Sequence, residues 1–436
     1  MGKTTKKIIY RFMRRLVSAA YAFGFRNIII SGYSNIKNKK PALFVANHQS
    51  TFMDGILMGI TAVKASPYIL VRADIFKSKA AKVGLDLIRL LPIYRKRDGL
   101  SSVTQNDSVF EKCFQLFEEK GVVALFPEGN HAIERSLRPL QKGAARIALQ
   151  AEERNNFELG LSVIPVGLHY ENHSERWHDV YIHYGEPFSL LPYKELYLEN
   201  PQKALKDLTD KIREGIEKEI VDIKWKEEYT LFEQLRQIIK PYSLSLQPEA
   251  KSIVHAESTL LEKIRARLVE QPERMQVLKN KVNDYFQKAE RNGFSADFQV
   301  QKPNALKFAI QTLLLIAGFP LWLIAKIFNF IPEFIIENKI IQGVKDRTWH
   351  ISLRVGISSF IYPIYYGLLW IIFSIVFNWV IAGLIIFALP LTSIIYYEVQ
   401  LLKKQWSNHQ LFFKNRGMLK EESEILKELK LLVSGS

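Results

Sequence analysis

Short apolar runs alternate with amphipathic stretches along residues 27–223 of this 436-residue chain. The runs are rich in Val, Ile, Leu and aromatic residues, a composition typical of strands whose two faces are both buried. Between the runs, apolar residues recur at helical spacing, and strands that alternate with helices indicate an α/β domain with crossover connections. Strands are predicted at 28–31, 42–46, 68–71, 122–126, 162–166 and 180–184, and helices at 54–63, 78–90, 101–120, 142–153 and 201–221.

The regions on either side of this domain have different patterns. Residues 1–26 are basic and place Ile8, Phe12 and Leu16 at helical spacing. This pattern predicts an amphipathic helix that lies in an anionic bilayer interface, and a helix packed on the domain is an equally good interpretation. Residues 224–304 are charged and helical in pattern, so they predict a helical connector.

Residues 305–398 have the composition of an α-helical membrane region. The uncharged run 355–397 is long enough for a hairpin of two helices of about 20 residues, the length that crosses a bilayer core. The shorter run 308–325 contains a proline, and it could cross, re-enter or lie at the interface. Lys and Arg are frequent in 326–354 and in the tail 399–436, so both are expected to be cytoplasmic. If the shorter run crossed the membrane, the α/β domain would lie on the side opposite to these two basic segments. We therefore favour re-entry or an interfacial position for that run.

The net charge of the chain indicates which kinds of partner it could bind. The chain has 60 Lys and Arg against 44 Asp and Glu, which gives a net charge of +16. Such an excess favours an anionic partner, which could be nucleic acid, a phospholipid membrane or a phosphorylated substrate. The membrane is preferred because the basic residues accompany long apolar runs, and no nucleic-acid-binding motif is present. The single cysteine, Cys113, excludes disulfides within the chain and a Cys-rich zinc site.

A histidine and an aspartate directly follow the predicted strand 42–46. They are His48 and Asp54 in the run NHQSTFMDG, residues 47–55. Imidazole titrates near neutrality, so it can take a proton from a hydroxyl group and return it. A carboxylate bonded to its other nitrogen would fix the tautomer and stabilise the imidazolium. No serine or cysteine nucleophile motif accompanies these two residues, which favours direct transfer of a group to a substrate hydroxyl. A single histidine followed by an aspartate is, however, more often structural.

Three further groups of residues follow predicted strands or extended stretches. The run LPIYRKRDG contains Arg95 and Arg97, the run FPEGNH contains Glu128 and Gly129, and the run VIPVG contains Pro165. Guanidinium groups pair with phosphate oxygens and glycine lets the backbone approach a ligand, so the first two runs could bind a phosphate. Taken singly, each has a simpler explanation: a solvated basic face, a helix cap or ion pair, and an edge strand.

The order and spacing of these four groups resemble the four sequence blocks of the glycerolipid acyltransferase family. That family includes glycerol-3-phosphate and 1-acylglycerol-3-phosphate acyltransferases. The matching residues are NH…D for block one, PIYR for block two, FPEG for block three and IPV for block four. The resemblance implies a glycerolipid-acyltransferase-like α/β domain that moves an acyl group to a glycerol hydroxyl at a phospholipid membrane. The donor would be acyl-CoA or acyl carrier protein, with no covalent acyl-enzyme, metal or cofactor.

The resemblance also implies roles for single residues. His48 would be the general base, and Asp54 would orient it. The residues implied to bind substrate are Arg95, Arg97, Glu128, Gly129, Lys142 and Pro165. The arginines and the lysine would hold the phosphate of the acceptor, and Glu128 and Gly129 would shape the loop around that phosphate. The strand that contains Pro165 would line the acyl or acceptor pocket.

Two departures from the family pattern bear on the acceptor. Five residues, 49–53, separate the histidine from the aspartate, whereas four are usual. The longer spacing is similar to that of the glycerol-3-phosphate/dihydroxyacetone-phosphate acyltransferase branch. Block three continues with Asn130 and His131, where Thr or Ser and then Arg are usual. Arg135 or Arg138 could replace that arginine.

The sequence therefore predicts a membrane-bound O-acyltransferase of phospholipid biosynthesis. The acceptor would be glycerol-3-phosphate, dihydroxyacetone phosphate or lysophosphatidic acid. Two alternatives stay open: an O-acyltransferase for a non-glycerol lyso-lipid, and a non-catalytic lipid-binding protein, which the presence of both His48 and Asp54 disfavours. The expected location is a bacterial inner membrane, with the α/β domain on the cytoplasmic face.

Overall fold

The chain folds into two compact units. The computed structural model describes residues 2–36, 40–76, 78–94, 106–294 and 304–434. The first unit contains Met1–Ile220 together with Ile340–Ser359, and the second contains Val221–Lys339 and Phe360–Ser436. A segment from the last third of the chain is therefore part of the same unit as the α/β region.

The first unit is built on a mixed sheet with eight strands among the described residues. The strands are β1 (Ile28–Ser31), β2 (Ala42–Ala46), β3 (Tyr68–Arg72), β4 (Leu90–Ile93), β5 (Val122–Leu125), β6 (Ser162–Tyr170), β7 (Val180–Tyr184) and β8 (Phe188–Ser189). Their order is β1-β7-β6-β2-β5-β3-β4, and β8 pairs with β6. Strands β6, β2, β5, β3 and β4 run parallel, whereas β7 is antiparallel to β6 and parallel to β1. The prediction of an α/β fold is confirmed.

Helices cover both faces of this sheet. They are α1 (Lys3–Ala22), α2 (Met53–Thr61), α3 (Lys79–Leu87), α4 (Asn106–Glu118), α5 (Gly143–Arg154), α6 (Lys194–Glu199) and α7 (Pro201–Glu217). Helices α4, α5 and α7 cover the face that contains Val45 and Val163. Helices α1 and α2 cover the face that contains Phe44 and Ile164. Successive residues of a central strand are thus buried on opposite faces, which is why these strands read as unbroken apolar runs.

The six predicted strands are all present, and β6 continues beyond its predicted end at residue 166. Two strands were not predicted. Strand β4 contains Pro92, and a proline weakens a strand pattern because it lacks a ladder donor. It lies at the edge of the sheet, where that donor is not needed. Strand β8 has only two residues, too few to produce a pattern.

Pro165 lies in the middle of the sheet, so the interpretation of it as the mark of an edge strand is wrong. Its carbonyl accepts a hydrogen bond from the Gly185 amide at 2.8 Å, on the side where β6 changes partner from β8 to β7. The N–H and C=O of a strand residue point to the same side of the strand. The missing N–H therefore falls at a break in the ladder and not opposite β2.

Helix α1 packs on the first unit by one side and exposes the other. Tyr10 and Tyr21 are buried, whereas Ile8, Phe12 and Leu16 are each more than half exposed. The exposed residues recur at helical spacing, so a basic helix presents an apolar stripe to its surroundings.

The second unit is helical. Its helices are α8 (Tyr229–Ile239), α9 (Ser243–Leu246), α10 (Ile253–Val269), α11 (Pro272–Arg291), α12 (Ala305–Phe334), the later turns of α13 (His350–Val376), α14 (Trp379–Lys414) and α15 (Arg416–Ser434). Three helical stretches within the described residues are long and apolar enough to cross a membrane: Ala305–Gly343, Arg347–Val376 and Trp379–Lys414. Most of their side chains are not covered by protein, as expected for helices that face lipid.

Helix α12 packs along α14 and carries polar side chains at the contact. Asn329 donates to the Thr392 hydroxyl at 3.1 Å and accepts from the Ser393 hydroxyl at 2.6 Å. Near the other end, the side-chain oxygen of Gln311 lies 2.7 Å from Nδ1 of His409. Polar groups in an apolar environment need such partners, so the two helices are held together by hydrogen bonds as well as by packing.

Candidate active site

The candidate site lies at the carboxyl ends of β2, β5 and β6. Because β5 and β6 flank β2 and all three run parallel, the segments that follow them meet at one edge of the sheet. Asn47 holds the first of these segments in place. Its side chain donates to the Leu168 carbonyl at 2.9 Å and accepts from the Leu168 amide at 2.7 Å. This pairing places His48 directly beyond the end of β2.

His48 and Asp54 are in direct contact. Nδ1 of His48 lies 2.7 Å from Oδ2 of Asp54, which is fully buried in the first turn of α2. The same carboxylate oxygen accepts hydrogen bonds from the amides of Gln49 and Ser50, both at 2.8 Å. The backbone between the two residues therefore turns around the carboxylate. This turn is how the five-residue spacing still brings the two side chains together.

Tyr170 supplies a fourth hydrogen bond to Asp54, and the sequence analysis did not identify it. Its hydroxyl donates to Oδ1 of the carboxylate, and its ring is fully buried at the end of β6. Burial and the neighbouring carboxylate raise the pKa of Tyr170 well above its ordinary value, so the phenol stays protonated and remains a donor. The signal that could have identified it is the same-face alternation of Val166, Leu168 and Tyr170, which extends the strand pattern past residue 166.

The His48 imidazole is held against two other rings. It stacks on Phe126, with centroids 4.2 Å apart and planes inclined by 17°. The His131 ring approaches it edge-on, with centroids 5.5 Å apart. Only 14% of the His48 side chain is exposed. The ring therefore has little freedom to turn away from the carboxylate that it contacts.

His131 does not provide a cation at neutral pH. Burial and the nearby His48 lower the pKa of His131 to about 4. On its other side lies Trp349, edge-on at 6.3 Å, which belongs to the segment Ile340–Ser359 of the first unit. A neutral, partly buried imidazole cannot replace the arginine that is usual at this position of block three.

Glu128 joins two segments of the site. Its Oε1 accepts a hydrogen bond from the His48 amide at 2.6 Å. Its Oε2 accepts from the amide of Arg138 at 3.2 Å and from Nε of the same residue at 2.9 Å. The Glu128 side chain is 3% exposed, so this ion pair is well shielded on its acidic side. Glu128 thus holds the backbone of the base and the nearby guanidinium in a fixed arrangement.

The structure separates the two arginines that could replace the family arginine. Arg138 lies at the site, where its guanidinium donates to the Asn130 carbonyl and its Nη2 is 3.5 Å from the His48 carbonyl. Arg135 is buried and donates to the Tyr170 carbonyl at 2.8 Å. Arg138 is therefore the better placed of the two to meet a substrate, and Arg135 supports the end of β6.

Gly129 and Lys142 belong to the same turn. The Gly129 amide donates to the Phe126 carbonyl at 3.2 Å, and its φ of +69° lies in the left-handed region that favours glycine. The Gln141 amide donates to the Pro127 carbonyl at 2.7 Å. This bond brings the exposed Lys142, at the N-terminal end of α5, next to the turn.

Among the described residues assigned to substrate binding, Pro165 is not brought to this site. Pro165 packs against Gly215 of α7, where an added Cβ would lie 2.5 Å from the proline Cγ. Helix α7 covers the face of the sheet opposite to that of Phe126, on which His48 stacks. Arg95 and Arg97 lie outside the described residues.

Part of the chain is similar to known acyltransferases. A family model described as Acyltransferase matches residues 27–169. Over 285 residues the chain is 26% identical to glycerol-3-phosphate O-acyltransferase 2 of Saccharomyces cerevisiae, a stretch that covers 60% of this chain and 38% of that protein. The chain is also similar to the crystal structure of the 1-acyl-sn-glycerophosphate (LPA) acyltransferase PlsC from Thermotoga maritima. That match has 18% sequence identity and a TM-score of 0.36, and it covers 49% of this chain and 81% of the other.

The family match and the site coincide. The chain spans 38% of the length of the yeast relative that it matches. The matched residues 27–169 contain the His48–Asp54 pair and Glu128, and Tyr170 follows directly after them. The region that carries these residues is therefore similar to the Acyltransferase family, and the relative it matches in yeast is a glycerolipid acyltransferase.

Proposed function

We propose that this protein is a membrane-bound acyltransferase of phospholipid synthesis. It transfers a fatty acyl group from acyl-CoA or acyl carrier protein to a hydroxyl group of glycerol-3-phosphate. The observation that carries the proposal is the 2.7 Å contact between Nδ1 of His48 and the buried carboxylate of Asp54. Two features support this acceptor: the five-residue spacing between those residues, and the similarity to the yeast relative, which is a glycerol-3-phosphate acyltransferase.

In the proposed reaction His48 is the general base and Asp54 sets its tautomer. With Nδ1 bonded to Asp54, Nε2 accepts the proton of the acceptor hydroxyl as the hydroxyl oxygen attacks the thioester carbonyl. The tetrahedral intermediate then collapses: the carbon–sulfur bond breaks, and the imidazolium gives the proton to the departing thiolate. Asp54 stabilises the imidazolium between these two proton transfers.

Together with Lys142, Arg95 and Arg97, Arg138 is proposed to bind the phosphate of the acceptor. Its Nε is bound to Glu128, which leaves further guanidinium N–H groups for phosphate oxygens. Glu128 fixes both this cation and the His48 amide, so the distance between phosphate and attacking hydroxyl is set by one side chain. Positioning of this kind accounts for a large share of the rate in reactions of two bound substrates.

We also propose that α12 enters the membrane and that the chain after it returns to the same side. The chain before it, Met1–Ile220, and the chain after it, Ile340–Ser359, belong to one folded unit. A single crossing by α12 would put these two parts on opposite sides of the bilayer. Helices α13 and α14 would then form the crossing hairpin, with the first unit on the cytoplasmic face because Lys and Arg are frequent next to these helices.

Helix α1 is proposed to rest in the interface of that same membrane face. Its exposed stripe of Ile8, Phe12 and Leu16 would insert among the acyl chains. The exposed Arg11 and Arg15 would then meet anionic headgroups. An acyl chain that leaves the bilayer would have only a short distance to travel to the domain that the helix anchors.

The test is a transfer assay on the full-length protein in lipid nanodiscs. Labelled acyl-CoA and acyl carrier protein are supplied as donors, and glycerol-3-phosphate, dihydroxyacetone phosphate and lysophosphatidic acid are offered as separate acceptors. We expect turnover with glycerol-3-phosphate to exceed that with the other two. Loss of a general base typically lowers the rate by about 10²–10⁴, and we expect a decrease in this range for His48→Ala.

His178→Ala is the matched control for this variant. His178 lies in the β6–β7 connection, where its ring nitrogens face the carboxylates of Glu171 and Glu175. Neither carboxylate has a role in the proposed reaction, so removal of the His178 ring should leave turnover unchanged. Absence of turnover with all three acceptors would refute the proposed reaction. Equal turnover with all three would refute the preference for glycerol-3-phosphate.

A further inference from the structure

Ser352 contacts the His–Asp loop, by which we mean residues 49–53. It lies in the first turn of α13, in the part of that helix that belongs to the first unit. Its Oγ is 3.0 Å from Oγ1 of Thr51, 3.1 Å from Oγ of Ser50 and 3.3 Å from the amide nitrogen of Met53. Ser352 is 4% exposed, so water competes little for these hydrogen bonds.

One of these contacts replaces a missing helix cap. The first N–H groups of a helix have no partner within the helix, and a side-chain oxygen at the N-cap usually accepts from them. In α2 the N-cap residue is Phe52, which makes no side-chain cap. The Met53 amide donates instead to Ser352, which lies 299 residues further along the chain. The next residue of α2 is Asp54. The Ser352 hydroxyl that caps the helix therefore also helps to position the backbone from which the Asp54 carboxylate extends.

The two sides of the loop are thus held by different parts of the chain. Asp54 binds the amides of Gln49 and Ser50 from the inside of the turn. Ser352 binds the remainder of the loop from the outside, and the Thr348 carbonyl lies 3.4 Å from the Ser50 hydroxyl. The loop is one residue longer than is usual in the family, and a longer loop has more conformations to lose on folding. An external contact compensates for that freedom.

We propose that Ser352 is a positioning residue, which holds the His–Asp loop and thereby keeps Asp54 in line with His48. The proposal rests on the function proposed above. It means that the segment Ile340–Ser359 completes the active site, and that the α/β region alone does not contain every group that orders the catalytic pair.

Ser352→Ala in the full-length protein tests this role, with Ser359→Ala as the matched control. Ser359 lies two turns further along the same helix and donates to the Val355 carbonyl at 2.9 Å, within that helix. We expect kcat of Ser352→Ala to fall about tenfold, the change that corresponds to one hydrogen bond, while KM values stay within about twofold. Ser359→Ala should match the wild type in both constants.

Two further measurements separate positioning from a general loss of structure. A less well aligned Asp54 stabilises the imidazolium of His48 less, so the acid limb of the kcat–pH profile of Ser352→Ala should move to lower pH. In an Asp54→Asn background, Ser352→Ala should cause no further decrease in kcat, because it acts through the carboxylate. An equal loss in both backgrounds, or an unchanged pH profile, would overturn the proposal.

Amide hydrogen exchange tests the same contact without using activity. Exchange in the peptide that covers residues 49–58 should be faster in Ser352→Ala than in the wild type, and unchanged in Ser359→Ala. Unchanged exchange in Ser352→Ala would refute the role of Ser352 even if no acceptor is turned over, whereas a wild type without turnover would refute only the proposed function. If Ser352→Ala does not fold, Thr51→Val removes one of the three contacts of Ser352 from the loop side. It should raise exchange there and lower kcat about threefold, and wild-type values of both would count against the proposal.

Discussion

Tyr170→Phe removes one buried oxygen atom and tests whether the Asp54 carboxylate needs all four of its hydrogen bonds. Oδ2 of Asp54 faces Nδ1 of His48 and the amides of Gln49 and Ser50, whereas Oδ1 is bound by the Tyr170 hydroxyl. No second donor to Oδ1 is present among the residues that the structure describes. In the variant this oxygen stays buried without a donor, and the carboxylate loses one of the four hydrogen bonds that fix its orientation.

The size of the effect follows from the charge of the acceptor. A hydrogen bond to a charged group contributes about 1.5–3 kcal/mol to the free energy of unfolding, and one between neutral groups about 0.5–1.5 kcal/mol. Tyr184→Phe is the control, because Tyr184 is equally buried on the neighbouring strand β7 and its hydroxyl lies 2.8 Å from the neutral Oγ1 of Thr61. The two variants should therefore differ by about 1–2 kcal/mol. At about 2–4 °C per kcal/mol for a domain of this size, that is a difference in Tm of several degrees.

The assay combines thermal unfolding of the detergent-solubilised protein, followed by tryptophan fluorescence, with kcat under saturating substrates. Tyr170→Phe should lower Tm more than Tyr184→Phe and should lower kcat about tenfold, because a carboxylate with one hydrogen bond fewer holds the imidazole less firmly. Tyr184→Phe should leave kcat within about twofold of the wild type. Equal decreases in Tm for the two variants, together with an unchanged kcat for Tyr170→Phe, would refute the assignment of Tyr170 as a support of the catalytic pair.

Two further predictions concern the groups around the pair. Glu128→Gln keeps an acceptor for the His48 amide but removes the charge beside Arg138, so we expect a loss of about 1–3 kcal/mol of unfolding free energy and a lower kcat/KM. Tm and kcat/KM measure this, and full additivity with Arg138→Gln in the double variant would show that the two side chains are not coupled. His131→Phe tests the depressed pKa of His131: the folded value of about 4 lies below the ordinary 6.5, so between these pH values the unfolded chain binds a proton that the folded chain does not. Wild-type stability should therefore fall as the pH drops from about 6.5 towards about 4, and Tm should decrease less between about pH 7 and about pH 5 in His131→Phe; identical decreases would contradict the low pKa.

Much of the α/β region could be predicted because its strands are buried on both faces. Phe44 and Val45 lie on opposite faces of β2, and both are completely buried, so the strand reads as a continuous apolar run. Strand β4 could not be predicted in this way, because Pro92 interrupts its pattern and only its position at the sheet edge makes that proline acceptable. The same reasoning misjudged Pro165, which is central and sits where the partner strand changes.

The candidate site divides along similar lines. His48, Asp54 and Glu128 could be identified because they stand in short recognisable runs of residues that come after strands. Tyr170 and Ser352 could not, since a buried tyrosine at the end of a strand and a serine in an apolar helix are ordinary residues until their partners are known. The role assigned to Pro165 from the family resemblance stays a prediction, and its ring lies on the other face of the sheet from Phe126.

By itself, the sequence determined the class of the fold, the apolar helices of the last third and the identity of the proposed base and its carboxylate. It could do so because periodicity and short spacings reflect contacts between residues that are near each other in the chain. The turn of Gln49 and Ser50 around Asp54 is still local in this sense. Only the tertiary structure decided that Asp54 is also supported from residues 170 and 352, because such contacts depend on which elements pack together, and sequence periodicity carries no information about that choice.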